Sequence, residues 1–119
     1  TGHDMARIGY LYLRNGLWDG EQVISEDWVR RSVTPHISDT SSETSDDSTE
    51  YGYQWWIPKQ KNGGTFVFGG YGLGGQRIMV FPEYDVVAVF QGWDPVAEYW
   101  KASNAFQTTI LPLSLKKPE

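Results

Sequence analysis

The residues best suited to chemistry lie in one run, Phe68-Gly69-Gly70-Tyr71-Gly72-Leu73-Gly74-Gly75-Gln76. Five of the seven residues from 69 to 75 are glycine, set between two segments that read as strands. Glycine there permits a bulge, a turn with positive φ, or the close approach of another backbone or a ligand. Backbone N–H groups bared in this way can face a developing oxyanion, as acyl transfer requires. A glycine-rich bulge with no chemistry has the same spacing. Gly70-x-Gly72-x-x-Gly75 also matches the dinucleotide-binding pattern. It leads into the strand Arg77 to Phe81 and opens no helix, so the phosphate-binding context is missing.

Composition narrows the other chemistries. Cysteine is absent, which removes disulfides, thiolate catalysis and zinc sites built on Cys. His3 and His36 are the only histidines. Neither has metal-ligand spacing or an acidic cage, so both read as solvent-facing imidazoles, and no metal or cofactor is expected. Fifteen Asp and Glu against ten Lys and Arg give a net charge of −5. The stretch Ser38 to Glu50 holds Asp39, Glu43, Asp46, Asp47 and Glu50 without a base, so the rest of the chain is balanced. No basic stripe exists to hold phosphates, which excludes nucleic acid as a partner. No apolar run approaches the ~18 residues of a membrane-spanning helix. Thr1-Gly2-His3-Asp4 has neither the basic start nor the apolar core of a signal peptide. The compartment stays open between periplasmic, secreted and cytoplasmic.

The elements that must position the glycine run can be read from periodicity and caps. The chain's 119 residues are enough for one domain and one core. A first helix runs from about Asp4 to Asn15, with Thr1 and Asp4 at capping-box spacing and Gly16 after its end. Met5, Ile8, Leu11 and Tyr12 form its apolar face. Leu17 to Gly20 is a turn and Glu21 to Ile24 a short extended piece. Ser25 caps a second helix, with acids at its start and Arg30 and Arg31 near its end, closed by Pro35. Residues 38 to 50 bury too little apolar surface to offset their ordering entropy and read as a mobile acidic loop.

Strands follow. Tyr51 to Ile57 stops at Pro58, Asn62-Gly63-Gly64 turns, and Thr65 to Phe68 pairs back. Arg77 to Phe81 and Val86 to Phe90 flank the turn Pro82 to Asp85, and the Val-rich last strand implies burial on both faces. Asp94-Pro95 opens a C-terminal helix with Val96, Tyr99, Phe106 and Ile110 on one side. The expected class is α+β: an antiparallel sheet of three to four strands flanked by N- and C-terminal helices. Tyr53, Trp55, Trp56 and Trp93 read as core or as pocket lining, and Trp18, Trp28 and Trp100 as helix anchors.

Several of these segments, taken in order, are similar to one family. Thr1 to Leu13, Gly16-Leu17-Trp18-Asp19-Gly20, Trp28-Val29, Tyr51-Gly52-Tyr53-Gln54-Trp55-Trp56, Gly72 to Gln76 and Phe81 to Val87 resemble the β-lactamase-related serine hydrolases. These include class C β-lactamases, D-Ala-D-Ala carboxypeptidases, esterases and 6-aminohexanoate-dimer hydrolases. The resemblance covers Thr1 to about Phe90, and more loosely the last helix. It implies a β-lactamase/transpeptidase-like fold and an acyl-enzyme mechanism.

It also implies what is missing. Such enzymes use a Ser-x-x-Lys nucleophile, a Tyr-x-Asn base motif, and a strand motif of the Lys-Thr-Gly or His-x-Gly kind. Tyr-x-Asn occurs nowhere here, and the one Ser-x-x-Lys, Ser114 to Lys117, sits in the tail. A frayed tail cannot hold a nucleophile against its base. The expectation is a single C-terminal lobe, residues 1–119, whose N-terminal portion is a missing partner. By the same resemblance the strand motif falls on Gly70-Tyr71-Gly72. The Leu73 N–H is then one oxyanion donor, and Gly70, Tyr71, Gly72 and Gly74 border the substrate. Gly70 stands where relatives carry Lys or His, which favours an esterase- or amidase-like parent over a true β-lactamase. The competing expectation is a non-catalytic module that self-associates through its exposed lobe surface or binds peptide.

Overall fold

The computed structural model describes residues 1–38, 49–59, 64–92 and 101–114. The interior of the acidic run, Asn62-Gly63, Trp93, the Asp94-Pro95 cap, Val96, Tyr99, Trp100 and Lys117 lie outside the described residues.

Helix α1 (Gly2–Leu13) begins two residues earlier than its pattern suggests, because Thr1 itself is the N-cap. The Thr1 hydroxyl donates to the Asp4 carboxylate at 2.6 Å, and the Asp4 backbone N–H donates to Thr1 Oγ1 at 3.3 Å. That side-chain bond, with the neighbouring Thr1 nitrogen, holds the Asp4 carboxyl down at about 2. After α1 comes a hairpin, β1 (Leu17–Trp18) with β2 (Glu21–Gln22). Its two loop residues, Asp19 and Gly20, have φ of 47° and 84°, as a type I′ turn requires. Helix α2 (Glu26–Ser32) follows its cap, with Ser25 Oγ accepting from the Trp28 N–H at 3.2 Å.

Among the described residues, six antiparallel strands then form one sheet in sequence order: β3 (Ile37–Ser38), β4 (Thr49–Tyr51), β5 (Trp56–Pro58), β6 (Phe68–Gly72), β7 (Gln76–Phe81) and β8 (Val86–Phe90). The α+β class holds, but six strands and a separate two-stranded hairpin exceed the three or four expected. Two segments account for the excess. Ser38 pairs with Glu50, so both ends of the supposed loop 38–50 are strand. Tyr51 to Ile57 is not one strand either. Tyr51 pairs with Trp56, and Gly52 N–H donates to the Trp55 carbonyl at 2.8 Å, so the segment folds back on itself.

Strand alternation sends side chains to two helical layers. Phe68, Ile78, Val80 and Val87 pack toward α1 with Tyr12, Leu13, Trp55 and Ile57. Val67, Met79, Phe81, Ala88 and Phe90 pack toward the C-terminal helix, which runs through α3 (Lys101–Ala105), a π turn (Phe106–Ile110) and α4 (Leu111–Ser114). Strand β8 meets a helix on each face, but all five of its residues are only half-buried, short of the burial on both faces that the Val-rich run implies. Ile110 is a correction: it is 48% exposed, and Leu111 is fully buried in its place. The π turn inserts one residue, so the position below Phe106 moves from i+4 to i+5.

Ile8 is a second correction, 51% exposed although it belongs to the expected apolar face. The residue that meets the sheet is Gly9, buried at the closest approach of α1. A Cβ at Gly9 would lie 2.6 Å from Val87 Cγ1 and 3.0 Å from Ile78 Cγ2. We expect Gly9→Ala to lower the unfolding free energy by about 1–3 kcal/mol, the usual cost of overpacking. A urea titration checks it. An unchanged midpoint would mean that α1 does not sit this close. The far end of α1 is tied by Arg14, whose guanidinium holds both Asp85 oxygens, at 2.6 and 2.9 Å.

Candidate active-site strand

The glycine run is strand first and turn second. Residues 68–72 are β6, and only Leu73-Gly74-Gly75 turn before β7. Gly70 pairs with Ile78, Tyr71 with Arg77 and Gly72 with Gln76. Gly74 and Gly75 are buried with φ of 82° and 93°, a conformation that a side chain would strain. Leu73 is 73% exposed at the tip. No helix follows the run, in keeping with the rejected dinucleotide reading.

On its other side β6 meets β5 at one pair, Trp56 with Gly69. Beyond that pair, among the described residues, no strand borders Gly70-Tyr71-Gly72. Three residues of strand edge, ending at an exposed turn, therefore offer main-chain donors and acceptors. Such an edge can pair with an extended chain. The glycines differ in what they serve. A Cβ at Gly69 would meet the Ile78 carbonyl oxygen at 2.6 Å and the Tyr71 ring at 2.5 Å. At Gly70 nothing described lies within 4 Å. Packing therefore explains Gly69 and leaves Gly70 free to admit a visiting group.

Tyr71 does not point to the same face as Gly70. Its ring lies over Gly69 among residues that pack toward the C-terminal helix, and burial raises its phenol pKa above 10.0. The Arg77 guanidinium stands 4.7 Å from that ring centre and, as a nearby positive charge, opposes the rise. Sequence reasoning missed Arg77, since cross-strand register is invisible before the hairpin is known. The structure thus groups Gly70, Gly72, Leu73 and Gly74 along one edge and turn, with Tyr71 beneath.

The aromatic expectations separate. Trp55 is core, 5.1 Å from Phe68 and 4.7 Å from Tyr12 between ring centres. Trp56 is half-buried against Tyr51 at 4.6 Å. Trp28 anchors no core. It is 43% exposed and lies over Tyr53, which stacks in turn on His36 at 4.2 Å. His36 is exposed as expected, and its Nε2 lies 2.8 Å from the Arg31 carbonyl. Two of the described serines, Ser32 and Ser103, are buried, and the Ser32 hydroxyl donates to the Trp28 carbonyl at 2.8 Å. Ser25 serves as a cap. None of these three has the free hydroxyl of a nucleophile.

Comparison with known proteins bears on the fold and on the hydrolase class. No family profile matches the chain. A 6-aminohexanoate-dimer hydrolase of Paenarthrobacter ureafaciens is 28% identical over 117 residues, covering 93% of this chain. The chain spans only 28% of that relative's length. A Bacillus anthracis protein of known structure, provisionally designated a 6-aminohexanoate-dimer hydrolase, superposes with a TM-score of 0.66 at 25% identity. The superposition covers 90% of this chain and 27% of that one. The chain is therefore similar, over nearly all its residues, to a minor part of hydrolases in the β-lactamase-related superfamily.

Proposed function

We propose that this chain supplies the oxyanion strand and one cleft wall of a β-lactamase-like serine hydrolase acting on an ester, amide or peptide bond. The observation that carries the reading is the edge of β6 at Gly70-Tyr71-Gly72, unpaired among the described residues and ending at the exposed Leu73 turn. An acyl group lying along such an edge would place its carbonyl oxygen at the turn, where the Leu73 N–H is one donor. Gly70 and Gly72 leave room beside the acyl chain, Gly74 shapes the turn, and Tyr71 supports the strand from below. The serine and its base come from outside these residues, so the chain alone is inert. Gly70 carries no cation to meet a substrate carboxylate, which favours neutral esters and amides.

Two preparations test this. The purified chain should neither hydrolyse a chromogenic short-chain ester nor gain mass from a serine-reactive phosphonate. A chimera in which it replaces the matching segment of the curated relative should show phosphonate-sensitive turnover of ester or of 6-aminohexanoate dimer. A phosphonate adduct on a serine of the isolated chain would overturn the reading. So would a folded but inert chimera.

A further inference from the structure

Gln76 ends the glycine run, and its side chain belongs neither to the core nor to the turn. It is the first residue of β7, exposed, and in register with Gly72 of β6. Strand alternation sets Gln76, Ile78 and Val80 on one face, beside Phe68, Gly70 and Gly72 of β6. Phe68, Ile78 and Val80 are apolar and pack toward α1. Gly70 and Gly72 offer no side chain at all. Gln76 is therefore the polar side chain that this face of the hairpin brings to the proposed cleft.

The geometry around Gly72 gives that side chain a direction. A Cβ at Gly72 would lie 3.5 Å from Gln76 Cβ and 4.0 Å from Gln76 Oε1. These are ordinary contacts, and the φ of Gly72 is not positive, so neither a clash nor strain demands glycine there. Gly69 is different, since a Cβ there would meet a backbone oxygen at 2.6 Å. What a side chain at position 72 would take is the space beside the Gln76 carboxamide. Left empty, that space lets the amide turn across β6 toward its outer edge.

We propose that Gln76 is a specificity-determining residue, its carboxamide hydrogen-bonding a neutral amide that the acyl chain carries one residue's length behind the scissile carbonyl. The proposal rests on the reading of the Leu73 N–H as an oxyanion donor. With the scissile carbonyl at Leu73, an acyl chain lying along β6 passes Gly72 about 3.3 Å farther back. Gln76 stands level with Gly72. In an N-acylated amino acid the amide follows the scissile carbonyl after a single carbon, which brings it to that level. A carboxamide both donates and accepts without charge, and so does its proposed partner. A fatty acyl group has methylenes at the same place, and the Gln76 amide would lose water there without a partner. The substrate class is thus N-acylated amino acid esters and peptides rather than simple fatty acyl esters.

The test uses the chimera and two ethyl esters of equal chain length, those of N-acetylglycine and of pentanoic acid, with acid release titrated at constant pH. The readout is the ratio of their kcat/KM values. Gln76→Leu should lower that ratio, N-acetylglycine over pentanoate, by roughly three- to tenfold, the effect of one neutral hydrogen bond. The loss should appear as a higher KM for the N-acetylglycine ester, because the bond is made in substrate and transition state alike. Gln76→Asn, one methylene shorter and still polar, should move the ratio in the same direction. The ratio does not depend on how much of a variant folds, so a destabilised variant still answers. An unchanged ratio in both variants would overturn the proposal, whether the two rates fall together or neither moves. Rates that fall together would assign Gln76 to holding the hairpin or to meeting the rest of the polypeptide. A parent chimera inert toward both esters would sink the hydrolase reading and this proposal with it. Turnover of both esters with a fixed ratio would sink this proposal alone.

Discussion

Gly52→Ala is expected to cost this fold about 3 kcal/mol, a large share of the ~5–15 kcal/mol by which such domains are stable. A Cβ at Gly52 would stand 2.1 Å from the Ser32 carbonyl oxygen and 3.0 Å from that of Thr34. Both are backbone atoms at the end of α2, so no side-chain rotation relieves the clash. The same Ser32 oxygen accepts the Tyr53 N–H at 2.9 Å and is one of the carbonyls that a helix end leaves unmet. Moving the strand away therefore breaks that bond as well, at roughly 1 kcal/mol more. Two readouts follow. The urea midpoint should fall sharply, and near-UV dichroism should lose the signal of the Trp28–Tyr53–His36 stack, which this junction holds. Gly70→Ala is the control. With no described atom within 4 Å of its Cβ and no positive φ, it should change stability by less than about 0.5 kcal/mol. If the two substitutions cost the same, the division between glycines set by packing and glycines left free is wrong.

That junction also marks where the sequence stops being readable. Local chemistry is legible because its causes are local. Thr1 and Asp4 announce a capping box, Ser25 announces α2, and the apolar runs Ile78 to Phe81 and Val86 to Phe90 announce β7 and β8. Strands β3, β4 and β5 have two or three residues each, too few for an alternation to show, and their stability comes from partners distant in the chain. The turn at 52–55 puts Gln54 at a φ of 68°, a position usually signalled by glycine or asparagine, so nothing in the run Tyr51 to Ile57 betrays it. Gly69 to Gly72 fails for a related reason. Glycine is depleted in strands, and only pairing with β7 makes this run one. Helical periodicity alone turns Ile8 and Ile110 inward. A close helix–sheet approach at Gly9 and an extra residue in the π turn displaced them. At the candidate site, the run and its turn could be located from residue types. The free edge and the Arg77–Tyr71 stack required the register.

In the chimera, Leu73→Pro should reduce kcat by about 10²–10³-fold while Leu73→Ala changes it by no more than about threefold. The contrast follows from assigning the role to the backbone. The Leu73 side chain is 73% exposed, so trimming it removes little packing. Proline removes the N–H itself and so the proposed oxyanion donor. It is geometrically tolerable there, because the preceding Gly72 is already extended strand, as a residue before proline prefers. A lost oxyanion donor acts on the transition state, so kcat and kcat/KM should fall together with KM nearly constant. A damaged cleft would raise KM instead. Thermal unfolding of the isolated Leu73→Pro chain, compared with the parent chain, separates loss of the donor from loss of the fold. Equal activity in the proline and alanine variants would remove Leu73 from the oxyanion site. A Leu73→Ala loss as large as that of proline would make the side chain, exposed as it is, the part that meets the substrate.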